Sequence, residues 1–170
     1  MTTIEIPNRI LLPFVIEQLR SIEGKTVTLP LRGRSMRPYL KDGRDKALLI
    51  AINPEDVKVG DVVLAEIGDK QYVLHRVIRI ANDTVLLRGD GNMVTEQCEL
   101  SNIHAKTIGF YRKGKEKIER TNGAKWKVYS WIWTRMYPIR RYLLFLFHPH
   151  VPAFFKRTCL KNQTNGSNDS

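Results

Sequence analysis

The spacing of apolar residues predicts one helix followed by a series of short strands. Within residues 7–23, apolar side chains at positions 11, 12, 15, 16 and 19 form the stripe of an amphipathic helix. Strands are predicted at residues 25–31, 46–52, 61–67, 71–80, 84–88 and 104–111, with turn signals at Asn53-Pro54, Gly68-Asp69 and Asn82-Asp83. Many short strands at regular spacing indicate a mainly β domain whose sheet is coiled and half-closed.

The chain changes character after residue 111. Arg112-Lys113-Gly114-Lys115 and the turn Thr121-Asn122-Gly123 are predicted to be loop. The next segment interleaves basic residues with large apolar ones, among them Trp126, Trp131, Trp133, Tyr137, Tyr142, Phe145 and Phe147. Its longest uncharged run, Tyr142–Phe155, has 14 residues and two prolines, which is too short and too broken to span a membrane as a helix. The pattern favours a helix that lies on a membrane surface, and a helix that covers the core of the β domain is the alternative.

These patterns divide the 170 residues into one domain with appendages. We expect an amphipathic helix in residues 1–24, a β domain in 25–111, a basic aromatic tail in 112–161 that is helical, and a disordered end in 162–170. A hydrophobic content of 42% is ordinary for a globular protein and excludes disorder throughout.

The positive charge is concentrated in the tail. Residues 1–111 carry 15 basic and 14 acidic side chains, whereas residues 112–170 carry 13 and 3, so nearly all of the net charge of +11 lies after residue 111. This asymmetry predicts a polyanionic partner for the tail. We expect that partner to be an anionic membrane surface, contacted through residues 125–157. Nucleic acid is not expected, because the uncharged run Tyr142–Phe155 would have no role in binding it.

Four short motifs follow one another in the β region. They are Gly33-Arg34-Ser35-Met36-Arg37-Pro38, Gly60-Asp61-Val62-Val63, His75-Arg76-Val77-Ile78 and Arg88-Gly89-Asp90-Gly91-Asn92. Each is weak alone, but their order resembles the type I signal peptidases and the related LexA-like self-cleaving repressors. The resemblance covers about residues 25–110 and implies the coiled β fold of that superfamily.

The resemblance implies a catalytic serine and a histidine base. Ser35 matches the nucleophile of the family, and His75 stands where many members have a lysine and where the archaeal and endoplasmic-reticulum branch has a histidine. An imidazole titrates near neutrality, so it can take the proton of a serine and later return it to a leaving amine. Such a base needs a carboxylate to orient it. Glu96 falls where that branch has its aspartate, and Asp90 falls in a motif similar to its G-D-N-N, so either acid remains a candidate, with Asp90 the better candidate for a structural role.

Residues beside the serine are predicted to bind substrate and the developing oxyanion. Backbone amides around Ser35, in the segment that includes Gly33, Arg34 and Met36, would hold the charge. Some signal peptidases add a hydroxyl two residues before the serine, and Gly33 lacks one. Met36 is expected to pack under the turn rather than take part in chemistry.

Each of these residues also has an ordinary structural explanation. Ser35 can be a plain turn residue, His75 a core histidine on the face of Val73 and Val77, and Asp90 a turn residue before Gly91. The histidines and the two cysteines, Cys98 and Cys159, form no metal-binding pattern, so no metal and no cofactor are expected. The two cysteines suit a reducing compartment.

The sequence therefore predicts a serine endopeptidase that acts on a polypeptide, such as a leader peptide. Its first 20 residues contain Glu5, Arg9, Glu17 and Arg20, so the amino-terminal anchor of ordinary signal peptidases is not expected. This predicts a cytoplasmic protein, peripheral on the inner face of the membrane. The alternative is a peptide-binding module of the same fold that has lost turnover. The oligomeric state stays open.

Overall fold

A computed structural model describes residues 8–68 and 70–136. They form one curled, half-barrel antiparallel sheet and two helices. The helices are α1 (Asn8–Ser21) and α2 (Ala124–Arg135), and the strands are β1 (Thr26–Pro30), β2 (Lys46–Ala51), β3 (Val62–Ile67), β4 (Gln71–Ala81), β5 (Thr84–Arg88), β6 (Glu96–Glu99), β7 (Ile103–Tyr111) and β8 (Ile118–Arg120). The predicted mainly β architecture is confirmed, and so is each of the six predicted strands.

The sheet has the strand order β1-β2-β7-β3-β4-β5-β6, and β8 pairs with β7. All neighbouring strands are antiparallel. The register shifts between Leu48 and Leu49, and again between Leu64 and Ala65. Such irregularities increase the local twist and bend of a strand, which helps a sheet to curl.

Two apolar clusters fill the part of the chain that the structure describes. The larger joins both helices to the sheet through buried residues that include Leu19, Leu49, Phe110 and Trp126. The smaller is formed by Val63, Val77, Leu87, Ile103 and their neighbours. Helix α1 buries Leu12, Val15, Ile16 and Leu19 while Ile10 and Phe14 stay exposed, which confirms the predicted amphipathic helix.

Two strands were not predicted. The apolar pattern does not reveal strand β6, because only one side chain of its sequence Glu-Gln-Cys-Glu is buried, that of Cys98. Strand β8 lies between the predicted loop residues 112–115 and the predicted turn at 121–123, in a tail that the sequence predicts to be helical. Its three residues are too short a run for an alternating pattern to be visible.

Helix α2 has two different faces. Trp126 and Trp133 are buried on the side that meets the sheet, whereas Val128 and Trp131 are exposed on the other. Of the predicted helical tail, residues 124–135 are helical, whereas residues 112–123 contain β8 and turns, and the inner face of α2 covers the core. The rest of the tail, the first seven residues and the predicted disordered end lie outside the described residues. In the part of the chain that the structure describes, no helix has the length and apolarity to cross a membrane.

Candidate active site

Ser35 lies in a tight turn between β1 and β2. The turn begins at Gly33, whose φ of +89° is a conformation that favours glycine and whose amide donates to Asp42 Oδ1 at 3.1 Å. The Arg37 amide donates to the Arg34 carbonyl oxygen at 3.1 Å, whereas the amides of Ser35 and Met36 make no hydrogen bond within the described part of the chain. The fold therefore leaves two backbone donors beside the serine unused within the described residues.

His75 lies on β4 and is almost completely buried, with 3% of its surface exposed. Its Nδ1 atom lies 2.7 Å from Oε2 of Glu96, the first residue of β6. The two atoms are within ion-pair distance, but neither makes a hydrogen bond of good geometry among residues 8–68 and 70–136. The structure therefore pairs the predicted base with one of its two predicted acids.

Gly89 brings the serine and the histidine together. A Cβ atom at Gly89 would lie 2.9 Å from Ser35 Cβ and 3.0 Å from His75 Nε2, so both residues lie against Gly89. The imidazole thus turns Nδ1 to Glu96 and Nε2 to the space beside Ser35. Gly91 stabilises the turn, because its amide donates to the Ser35 carbonyl oxygen at 2.6 Å. The backbone of this segment approaches the Ser35 turn closely, which explains why glycine stands at both positions.

Asp90 has a different set of partners. Its side chain is 2% exposed and receives two hydrogen bonds from Arg76, at 2.9 Å and 2.8 Å, and one from the hydroxyl of Tyr129 at 3.1 Å. A bidentate, buried guanidinium–carboxylate pair fixes both groups in one geometry. These contacts agree with the structural role for Asp90, while Glu96 is the acid in contact with the ring of His75.

Helix α2 contacts the buried pair of Arg76 and Asp90, a role that the sequence did not predict. Trp133 Nε1 donates to the Asp90 carbonyl oxygen at 2.9 Å, and Ser130 Oγ accepts a hydrogen bond from Arg76, whose guanidinium lies 5.0 Å from the centre of the Trp126 ring. The aromatic residues at positions 126, 129 and 133 have the spacing of one helix face, and this spacing was the available signal.

Burial sets the charge of the candidate base. Removal of His75 from water lowers its pKa below the ordinary value of 6.5, and the carboxylates of Glu96 and Asp90 oppose this effect without cancelling it. The imidazole is therefore neutral at neutral pH and able to accept a proton.

A cleft of about 250 Å³ opens beside Ser35 and His75. Its walls are the segment around the Ser35 turn, with the apolar side chains of Leu31, Met36 and Leu40, and residues 72–75 of β4. On one side β4 pairs with β3 along residues 71–76, whereas its ladder with β5 begins only at Arg76. Among the described strands none pairs with the other side of residues 71–75, so this edge of β4 has no strand partner there.

Comparison of the chain with known protein families and with characterised proteins finds no match. The geometry of the cleft and the chemistry of its side chains are therefore the basis for a functional conclusion.

Proposed function

We propose that the protein is a serine endopeptidase of the kind that the type I signal peptidases represent, with the same coiled β fold. Ser35 is the nucleophile, His75 the general base and Glu96 the acid that orients the base. One observation carries the proposal: the buried imidazole contacts Glu96 through Nδ1 and faces Ser35 through Nε2. A carboxylate at one ring nitrogen and a serine beside the other is the order of groups that serine catalysis uses.

The reaction follows from these positions. His75 accepts the hydroxyl proton of Ser35 as the serine oxygen attacks the carbonyl carbon of a peptide. The amides of Ser35 and Met36 stabilise the oxyanion that forms. The imidazolium then gives its proton to the leaving amine, and a water molecule, activated by the same base, releases the acyl group from Ser35.

The cleft supports an extended peptide as the substrate. The open edge of β4 offers backbone donors and acceptors to an added strand, which would pass directly beside Ser35 and His75. The apolar side chains of Leu31, Met36 and Leu40 line the cleft next to that path. An uncharged side chain of modest size, close to the scissile bond, fits this lining.

A peptide-binding module without turnover is the second candidate. The open edge of β4 would bind a peptide whether or not Ser35 reacts, and the hydroxyl that Gly33 lacks is a feature that favours lost activity. The two candidates differ in one property, the reactivity of Ser35.

Labelling with an alkyl fluorophosphonate, read by intact mass, tests the proposal. We expect one adduct on the native chain and none on Ser35→Ala or His75→Ala. Ser101→Ala, which changes an exposed serine, is the matched control and is expected to keep the adduct. Folded protein that takes up no label on any variant, but binds an unstructured leader peptide, would replace the peptidase by the binding module.

A further inference from the structure

The outer face of α2 combines exposed apolar side chains with positive charge. Val128 is 57% exposed, Trp131 62% and Ile132 39%. They lie on the side opposite to the buried Trp126 and Trp133, so no part of the described sheet covers them. Contiguous exposed apolar side chains on a helix with a buried opposite face indicate a surface that meets something else.

The charge around these three apolar side chains indicates the kind of partner that they contact. Lys125, Lys127 and Arg135 are the charged residues of α2, and the guanidinium of Arg135 lies 5.4 Å from the centre of the Trp131 ring. From residue 124 to residue 161 the sequence contains eight basic residues and no acidic one. A protein partner with a matching apolar groove would not require a surface free of acids over so long a segment, whereas an anionic lipid surface would.

We propose that the outer face of α2 is a docking surface for an anionic membrane. The stripe of Val128, Trp131 and Ile132 enters the boundary between headgroups and acyl chains, and the basic side chains contact lipid phosphates. Tryptophan is the side chain most typical of this depth, because its ring is apolar and its N–H is polar. The proposal does not depend on the reactivity of Ser35.

The three tryptophans of the sequence make the test direct. Trp126 and Trp133 are buried, so Trp131 is the one exposed to solvent. We expect the full chain to float with vesicles of equal parts phosphatidylcholine and phosphatidylglycerol, and not with phosphatidylcholine alone. Brominated lipid in those vesicles should quench the emission of Trp131, and Trp131→Phe should abolish the quenching while binding persists.

Variants separate this surface from others. Trp131→Ser is expected to reduce vesicle partitioning roughly tenfold, and Lys127→Gln and Arg135→Gln about fivefold each. Phe14→Ser is the matched control, since Phe14 is similarly exposed, at 58%, but belongs to the other helix, α1. Circular dichroism verifies that each variant is folded.

Four outcomes would overturn the proposal. Equal binding to neutral vesicles would remove the role of charge. Binding of Trp131→Ser at the native level, or binding without quenching of Trp131, would assign the contact to other residues. Loss of duplex nucleic-acid binding in the α2 variants, with vesicle binding unchanged, would assign the surface to a nucleic acid.

Discussion

Gly89 lies so close to Ser35 that a Cβ atom at position 89 would be 2.5 Å from the Ser35 carbonyl oxygen. That oxygen is also held by the amide of Gly91 at 2.6 Å, so it cannot move aside without breaking a hydrogen bond. The contact is backbone against backbone, and no rotation of a side chain relieves it. The segment after β5 therefore sets the position of the turn that carries the serine.

Gly89→Ala is expected to destabilise the protein by about 1–3 kcal/mol and to slow the labelling of Ser35 in the protein that remains folded. Urea unfolding and fluorophosphonate labelling measure the two effects. Gly109→Ala is the control, because its Cβ would approach the side chain of Ile118 at 2.5 Å, on β8. It should cost stability and leave labelling of the folded protein unchanged. Equal labelling of both variants would contradict the close fit at Ser35.

Glu96→Gln is expected to slow the labelling of Ser35 by about 10²–10⁴-fold, because the amide no longer stabilises the imidazolium. Burial already lowers the pKa of His75, and the carboxylate of Glu96 raises it. Its removal therefore lowers that pKa further, and the fall in labelling on the acid side should move to lower pH. Labelling rates measured from pH 4 to pH 8 test both changes, with Glu99→Gln on the same strand as control. An acid limb that stays in place, or moves upward, would contradict the pairing with Glu96.

Asp90→Asn is expected to reduce the free energy of unfolding by about 3–5 kcal/mol, because it leaves the buried guanidinium of Arg76 without its counter-charge. Glu96→Gln, whose side chain is one-third exposed, should change it by less than about 1 kcal/mol. Urea denaturation of the two variants compares them directly. If Glu96→Gln were the more destabilising change, the division into a structural and an orienting acid would be reversed.

The strands that carry Ser35 and His75 could be predicted because each has a regular apolar pattern bounded by turn residues. The contact between His75 and Glu96 could not be predicted from the sequence. It depends on the pairing of Leu87 with Glu96 across β5 and β6, and β6 is too polar and short to be visible in the sequence. Two acids six residues apart, both after β5, are equivalent until that register is known.

The role of α2 was hidden for a different reason. Its aromatic residues indicate a packed face and an exposed face at once, and the sequence does not say what the packed face touches. Trp133 contacts the carbonyl oxygen of Asp90, 43 residues earlier. A hydrogen bond to a backbone atom so far away leaves no local trace in the pattern of residue types.

A polar cluster around Glu119 of β8 makes the free energy of unfolding depend on pH. Burial alone would raise the pKa of Glu119, but hydrogen bonds from Tyr39, Arg112 and Lys125 outweigh it and hold that pKa to about 2. The stability that these bonds contribute is fully present above the unfolded pKa of 4.5 and is lost as pH falls from there toward 2. In Glu119→Gln, urea midpoints should therefore fall less between pH 5 and pH 2.5 than in the native chain. An identical decline in both proteins would place the acid sensitivity elsewhere.

The same cluster predicts a loss of stability in alkali. Burial and the hydrogen bond to Glu119 raise the pKa of Tyr39 to about 12. The folded state therefore keeps the phenol proton where an unfolded chain would release it, so stability falls as pH rises from 10 toward 12. Tyr39→Phe should flatten this decline, and a phenolate absorbance titration would follow the group directly. A titration of Tyr39 at pH 10 in the folded protein would contradict the prediction.

The hydrogen bonds from Tyr129 and Trp133 to Asp90 have a further consequence for synthesis of the chain. Ser35, His75 and Glu96 all leave the ribosome before α2, and the phenol of Tyr129 and the indole of Trp133, which hold Asp90, follow them. A nascent chain that ends before residue 129 therefore contains the three candidate site residues but lacks the contacts that support the Gly89–Gly91 segment. We expect this segment to become ordered during synthesis only after α2 has been made.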